Sequence, residues 1–172
     1  MNYDRLSATI YAQNKAVGWW DDPCRCLFEC LQLVSTEVAE ATEAERKDLM
    51  DDHLPDRKGG EVELADALIR VLDLGGRKEW AYLPQTKTKN EYAKWSVGRR
   101  HLAVNQAVVH LSYSMHSPYA SAAYSVLLDR IDAVAESFGY DLLGAMEEKL
   151  RYNQQRADHK RDARAKEGGK KF

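Results

Sequence analysis

One stretch of this 172-residue chain leaves few folding options. Over residues 61 to 74, Val62, Leu64, Ala65, Ala67, Leu68, Ile69, Val71, Leu72 and Leu74 cover most of a helical circumference. Glu63, Asp66, Arg70 and Asp73 share the polar arc that remains, roughly 80° wide at about 3.6 residues per turn. A helix that is apolar nearly all round must be enclosed by other elements. Its single charged slot then lies in or beside the core, and that placement calls for a chemical reason.

The surrounding sequence supplies helices to enclose it. A segment over about 3 to 18 carries Tyr3, Leu6, Ile10 and Val17 at helical spacing, with Gln13 on the same stripe and Gly18 as its expected end. A second, over about 24 to 47, follows Asp21-Asp22-Pro23, read as an N-cap and first turn. A loop rich in Asp, Pro and Gly (51 to 60) precedes the central segment, which the pairs Gly59-Gly60 and Gly75-Gly76 are expected to bound. After a weakly periodic linker, 77 to 90, come segments over about 91 to 115, 119 to 137 and 141 to 157. Ala103, Ala107, His110, Leu111 and Ser114 share one side of the fourth, where His110 is expected to be a core histidine. Ala123, Val126, Leu127, Ile131 and Val134 mark the fifth, Gly139 is a C-cap and Asp141 an N-cap. Pro23, Pro55, Pro84 and Pro118 punctuate the pattern, and no strand-like alternation of useful length appears. The expected fold is all-α, a bundle of about five to six helices within one domain, 1 to 157. Residues 158 to 172 read as a flexible basic tail.

A formal net charge of −2 gives no basic surplus for nucleic-acid polymers and none for a membrane surface. The N-terminus has no apolar h-region, and no run reaches the roughly 18 apolar residues of a membrane span. The crowded Cys24, Cys26 and Cys30 read as reduced thiols, which suits a cytoplasmic location. A zinc site would need a second ligand pair, and none is present.

In the second segment, Cys30, Leu33, Glu37, Glu40 and Ala44 fall on one face, flanked by Leu27, Leu31, Val34, Val38 and Ala41. Glu37 and Glu40 thus sit one turn apart at or beside the core-facing stripe. Two bare carboxylates about 4 to 5 Å apart repel by roughly 3 to 4 kcal/mol at an effective dielectric of about 20. A divalent cation relieves that repulsion, and an all-oxygen donor set selects Mg²⁺ first and Mn²⁺ second. The competing reading is a solvated face, since Asp66 and Arg70 form a common i,i+4 pair. A di-iron bundle would use Glu-x-x-His, and no Glu here has His three residues later.

Glu37-x-x-Glu40, a spacer and Glu63-x-x-Asp66 resemble the metal motif of the MazG-like nucleotide pyrophosphohydrolases, within the all-α nucleoside triphosphate pyrophosphatases. The likeness extends through 33 to 41 and 63 to 70. It recurs in Lys149-Leu150-Arg151-Tyr152-Asn153-Gln154-Gln155-Arg156 and, more softly, in Asn14 to Trp20. One departure is Thr36, where many relatives carry a further Glu. The middle of the chain, 77 to 137, carries no motif of the family.

The resemblance implies hydrolysis of nucleoside triphosphates to monophosphate and pyrophosphate. Glu37, Glu40, Glu63 and Asp66 would hold Mg²⁺, and Glu40 or Glu37 would accept the proton of the attacking water. Lys149, Asn153 and Arg156 lie on one helix face flanked by Tyr152 and suit phosphate oxygens, although basic residues also favour a helix C-terminus. Trp19 or Trp20 could stack on a base or cap the bundle's end, and Gln13 and Asn14 could meet a base edge. The family also implies a homodimer or homotetramer, with the fourth and fifth helices as candidates for the interface. The alternatives are a non-catalytic nucleotide- or partner-binding module and a pyrophosphohydrolase of another phosphate ester, such as an alarmone.

Overall fold

The computed structural model describes residues 2 to 84 and 91 to 156; the tail expected over 158 to 172 lies outside them. The described chain is all-helical. Its helices are α1 (Tyr3–Ala16), α2 (Leu27–Lys47), α3 (Gly59–Lys78), α4 (Val97–Ser114), α5 (Ala120–Phe138) and α6 (Leu142–Gln155), with a 3₁₀ turn at Tyr92–Lys94. Among the described residues the only β pairing is an isolated antiparallel bridge, Met50 with Lys58. None of the described helices is long and apolar enough to cross a membrane.

The axis of the fold is α3, which packs against α1, α2, α5 and α6. Its apolar residues are buried nearly all round, while Glu63, Asp66, Arg70 and Asp73 are half-buried, as the pattern predicts. Leu64, Leu68, Leu72 and Leu74 meet Leu127, Leu128, Ile131 and Met146 in one continuous core.

Several expected boundaries move. The helix does not stop at Gly75-Gly76 but runs through them. These glycines are there for close approach. A Cβ on Gly75 would stand 2.5 Å from the Tyr124 ring, and one on Gly76 would stand 2.5 Å from the Ser7 carbonyl oxygen. α3 also includes Gly59-Gly60, so neither pair is an end signal. Asp21-Asp22-Pro23 does not open α2. Asp22 Oδ1 instead accepts from Cys24 N at 2.8 Å, which makes a local turn, and the helix begins at Leu27 with Cys26 as its N-cap. The fourth helix starts at Val97 rather than near 91, because Tyr92–Lys94 forms a separate 3₁₀ turn. Asn2 and Asp141 cap α1 and α6 with their side chains, and Gly139 takes a left-handed conformation at φ 79° after α5.

His110 is exposed; the core histidine of α4 is His101, 2 % exposed. A single register step explains the exchange, because the apolar face runs through His101, Val104, Val108 and Leu111. His101 Nδ1 lies 2.8 Å from Thr42 Oγ1, whose own proton goes to the Val38 carbonyl at 2.8 Å. Nδ1 is therefore the protonated nitrogen, and Nε2 is buried without a partner. Burial, with the nearby Arg100 charge, lowers the His101 pKa from 6.5 to about 4. The unfolded chain thus takes up a proton first as pH falls, and stability is lost below the unfolded pKa. We expect His101→Leu to flatten the loss of unfolding free energy between pH 6.5 and 4, by roughly 2 to 3 kcal/mol at the acid end. Denaturant titrations at stepped pH check this, and an unchanged slope would contradict it.

Candidate functional site

Three carboxylates converge where α2 lies against α3. Glu37 of α2 is 5 % exposed, and Glu63 and Asp66 of α3 are half-buried. One oxygen from each lies within 4.8 Å of the other two. Helical geometry produces this grouping, since Glu63 and Asp66 are one turn apart on one side of α3 and Glu37 faces them from α2. Glu40, one turn beyond Glu37, is exposed and stands outside the trio, reaching Glu63 through its electrostatic field.

Two cations offset part of this charge. Arg70 Nε donates to Glu37 Oε1, and Lys149 Nζ of α6 lies 2.9 Å from Asp66 Oδ2. Lys149 is only 5 % exposed, and the field of Asp66 holds its pKa up against burial. Glu63 has no ion pair or hydrogen bond among the described residues. Burial raises its pKa from 4.5 to about 8, and the adjacent Asp66 and Glu37 charges add to the shift. Asp66 is also raised by burial, against the pull of Lys149. An all-carboxylate trio with one member unpartnered fits a hard divalent cation, in which Glu63 would gain the partner it lacks.

Beside the trio opens a cavity of about 440 Å³. Six residues singled out from sequence line it, namely Gln13, Asn14, Trp19, Trp20, Asn153 and Arg156, and Asp66 joins them at the carboxylate end. Gln13 interrupts the apolar stripe of α1 because it faces this cavity rather than the core. Lys149 lies off the cavity wall, bound to Asp66. Tyr152 is also off it, with its ring 4.8 Å from that of His53.

Sequence reasoning placed Asp73 in the charged slot without giving it a role and passed over Arg25; both line the same cavity with Trp20. Asp73 Oδ1 accepts from Trp20 Nε1 at 2.9 Å, and Asn14 lines the same cavity. Burial raises the Asp73 pKa to about 6, against the lowering influence of Trp20 and Asn14. The Arg25 guanidinium lies 5.5 and 5.7 Å from the Trp19 and Trp20 ring centres. Asp73 could have been found from its place on the polar arc of α3, two turns beyond Asp66. Arg25 lies in the loop before α2 and had no pattern to mark it.

A second network holds the site's outer wall. Arg57 bonds Glu61 at 3.0 Å and Glu148 at 2.9 Å, which ties the loop before α3 to α6. This fixes the height at which α6 presents Lys149 and Asn153.

No family model matches the chain, and neither a curated protein nor a solved structure does.

The burial of the Glu63 carboxyl beside two like charges has a measurable consequence. We expect Glu63→Gln to raise the melting temperature of the metal-free protein by about 3 to 6 °C. The same substitution should abolish any rise that Mg²⁺ produces in the wild type. Differential scanning fluorimetry with and without Mg²⁺ checks both, and a lowered melting point would mean that Glu63 is not repelled where it stands.

Proposed function

We propose that this protein is a Mg²⁺-dependent nucleoside triphosphate pyrophosphohydrolase. The observation that carries the reading is the joining of a three-carboxylate cluster to a cavity with aromatic and amide walls. Glu37, Glu63 and Asp66 would hold the ion, with Mn²⁺ as a substitute. When bound, the ion supplies charge neutralisation for the triphosphate and lowers the pKa of water.

The chain's own residues account for the remaining tasks. Water adds to the α-phosphorus, the bond from that phosphorus to the α–β bridging oxygen breaks, and pyrophosphate leaves with the electron pair. Glu40 is exposed and outside the trio, so it is the carboxylate best placed to take the water's proton. Glu37 is less suited, because Arg70 holds it. Arg156 and Asn153 on the cavity wall suit phosphate oxygens, with the guanidinium able to bind two at once. Lys149 orients Asp66 and offsets its charge. Trp19 offers a flat face for a base, and Gln13 and Asn14 offer amides to its edge.

Assembly into a homodimer or homotetramer belongs to the same reading. It draws support from the outward stripe of α4, where Leu102, Val109 and Tyr113 are 57, 52 and 85 % exposed.

The test is product analysis with Mg²⁺ over a panel of ribo- and deoxyribonucleoside triphosphates. The expected products are monophosphate and pyrophosphate in equal amounts. Glu40→Gln should slow turnover by about 10²- to 10⁴-fold, and Asp66→Asn should lose it at comparable protein stability. Release of inorganic phosphate, or an inert wild type, would overturn the assignment.

A further inference from the structure

The cavity has two chemically distinct ends, both set by α3. Asp66 stands at one and Asp73 at the other. Seven residues of helix separate them by about 10 Å, and both side chains belong to the same polar arc. That distance matches the span of a nucleotide from its α-phosphate to the far edge of its base. A phosphate held near Asp66 therefore brings the base edge to Asp73.

The Asp73 carboxylate is an acceptor with two oxygens. Trp20 donates to one of them, Oδ1, which fixes the orientation of the group and leaves further lone pairs on a carboxylate that lines the cavity. A fixed carboxylate selects two parallel N–H donors. Among the standard bases only guanine presents two adjacent donors, its ring N1–H and its 2-amino group. Adenine and cytosine place a ring-nitrogen lone pair beside their amino group, and uracil and thymine flank their single N–H with carbonyls. Each of those edges turns a lone pair towards the carboxylate. Guanine also carries a carbonyl next to N1–H, which calls for a donor. The same cavity holds Arg25, whose Nε is buried and has no partner among the described residues.

We propose that the Asp73 end of this cavity is a guanine-selective base site, in which Asp73 is the specificity-determining residue and Trp19 and Trp20 form its aromatic wall. The inference rests on the triphosphate reading for the opposite end of the ligand, and on Asp73, Arg25 and Trp20 for the base.

The experiment compares dGTP, dITP and dXTP as substrates at pH 8, where Asp73 is ionised. In parallel it measures equilibrium binding of dGMP and dIMP without metal. Hypoxanthine lacks the 2-amino group, so the wild type should favour dGTP over dITP by about tenfold or more in kcat/KM. Asp73→Asn keeps an acceptor for N1–H and adds a donor for the 2-carbonyl of xanthine. It should lose the preference for dGTP over dITP and gain activity on dXTP. A gain of that kind cannot come from a misfolded variant. Equal use of dGTP and dITP by the wild type would overturn the guanine site and leave the hydrolase reading intact. A preference for dGTP that survives in Asp73→Asn would likewise remove Asp73 from the role. If no triphosphate is hydrolysed but dGMP binds about tenfold or more tighter than dIMP, the base site stands and the hydrolase reading fails.

Discussion

Repulsion among Glu37, Glu63 and Asp66 is the constraint around which the rest of the site is arranged. Like charges with oxygens within 4.8 Å of one another are costly in a half-buried slot. The chain meets this cost in two ways. Arg70 and Lys149 neutralise Glu37 and Asp66, and Glu63 is left to hold its proton to unusually high pH. Two cations on three acids is an incomplete compensation. It leaves room for an added cation, and a fully paired cluster would not.

The position of that cluster depends on one helix. Because α3 is enclosed on nearly every side, its charged arc meets Glu37 of α2, Lys149 of α6 and a cavity walled in part by α1. The glycines at 75 and 76 let Tyr124 and α1 close on the helix, which brings Gln13 and Asn14 alongside Asp73. Arg57 sets the height of α6 through Glu148, and α6 carries Lys149 to Asp66. Packing and chemistry are therefore coupled. The contacts that bury the apolar circumference of α3 are the same ones that build the walls of the cavity.

Much of this was legible in the sequence, because two different periodicities coincide there. The apolar positions of α3 announce burial, and the acids on its remaining arc announce where the buried charge must go. Glu37 could be read in the same way, from its place beside the stripe of Leu31, Val34, Val38 and Ala41. Other features depend on contacts between segments and have no local signal. Arg57 and Glu61 sit in ordinary loop and first-turn positions, yet they clamp two elements. The role of Gly75-Gly76 inverts the usual reading, since a glycine needed for close approach looks in sequence like a glycine that ends a helix. His110 and His101 show a subtler limit. Both lie among apolar residues of α4, and only the neighbouring helices decide which face is inside. Tyr152 flanks the face of Asn153 and Arg156, and its ring meets both the Arg156 guanidinium and, through the loop before α3, His53.

The central claim is that the α2–α3 carboxylates bind a divalent cation, which supplies the partner Glu63 lacks. Anomalous diffraction from crystals of the full chain grown with Mn²⁺ tests it directly. The account predicts a peak within coordination distance of Glu37, Glu63 and Asp66. An empty cluster at saturating Mn²⁺ would contradict it.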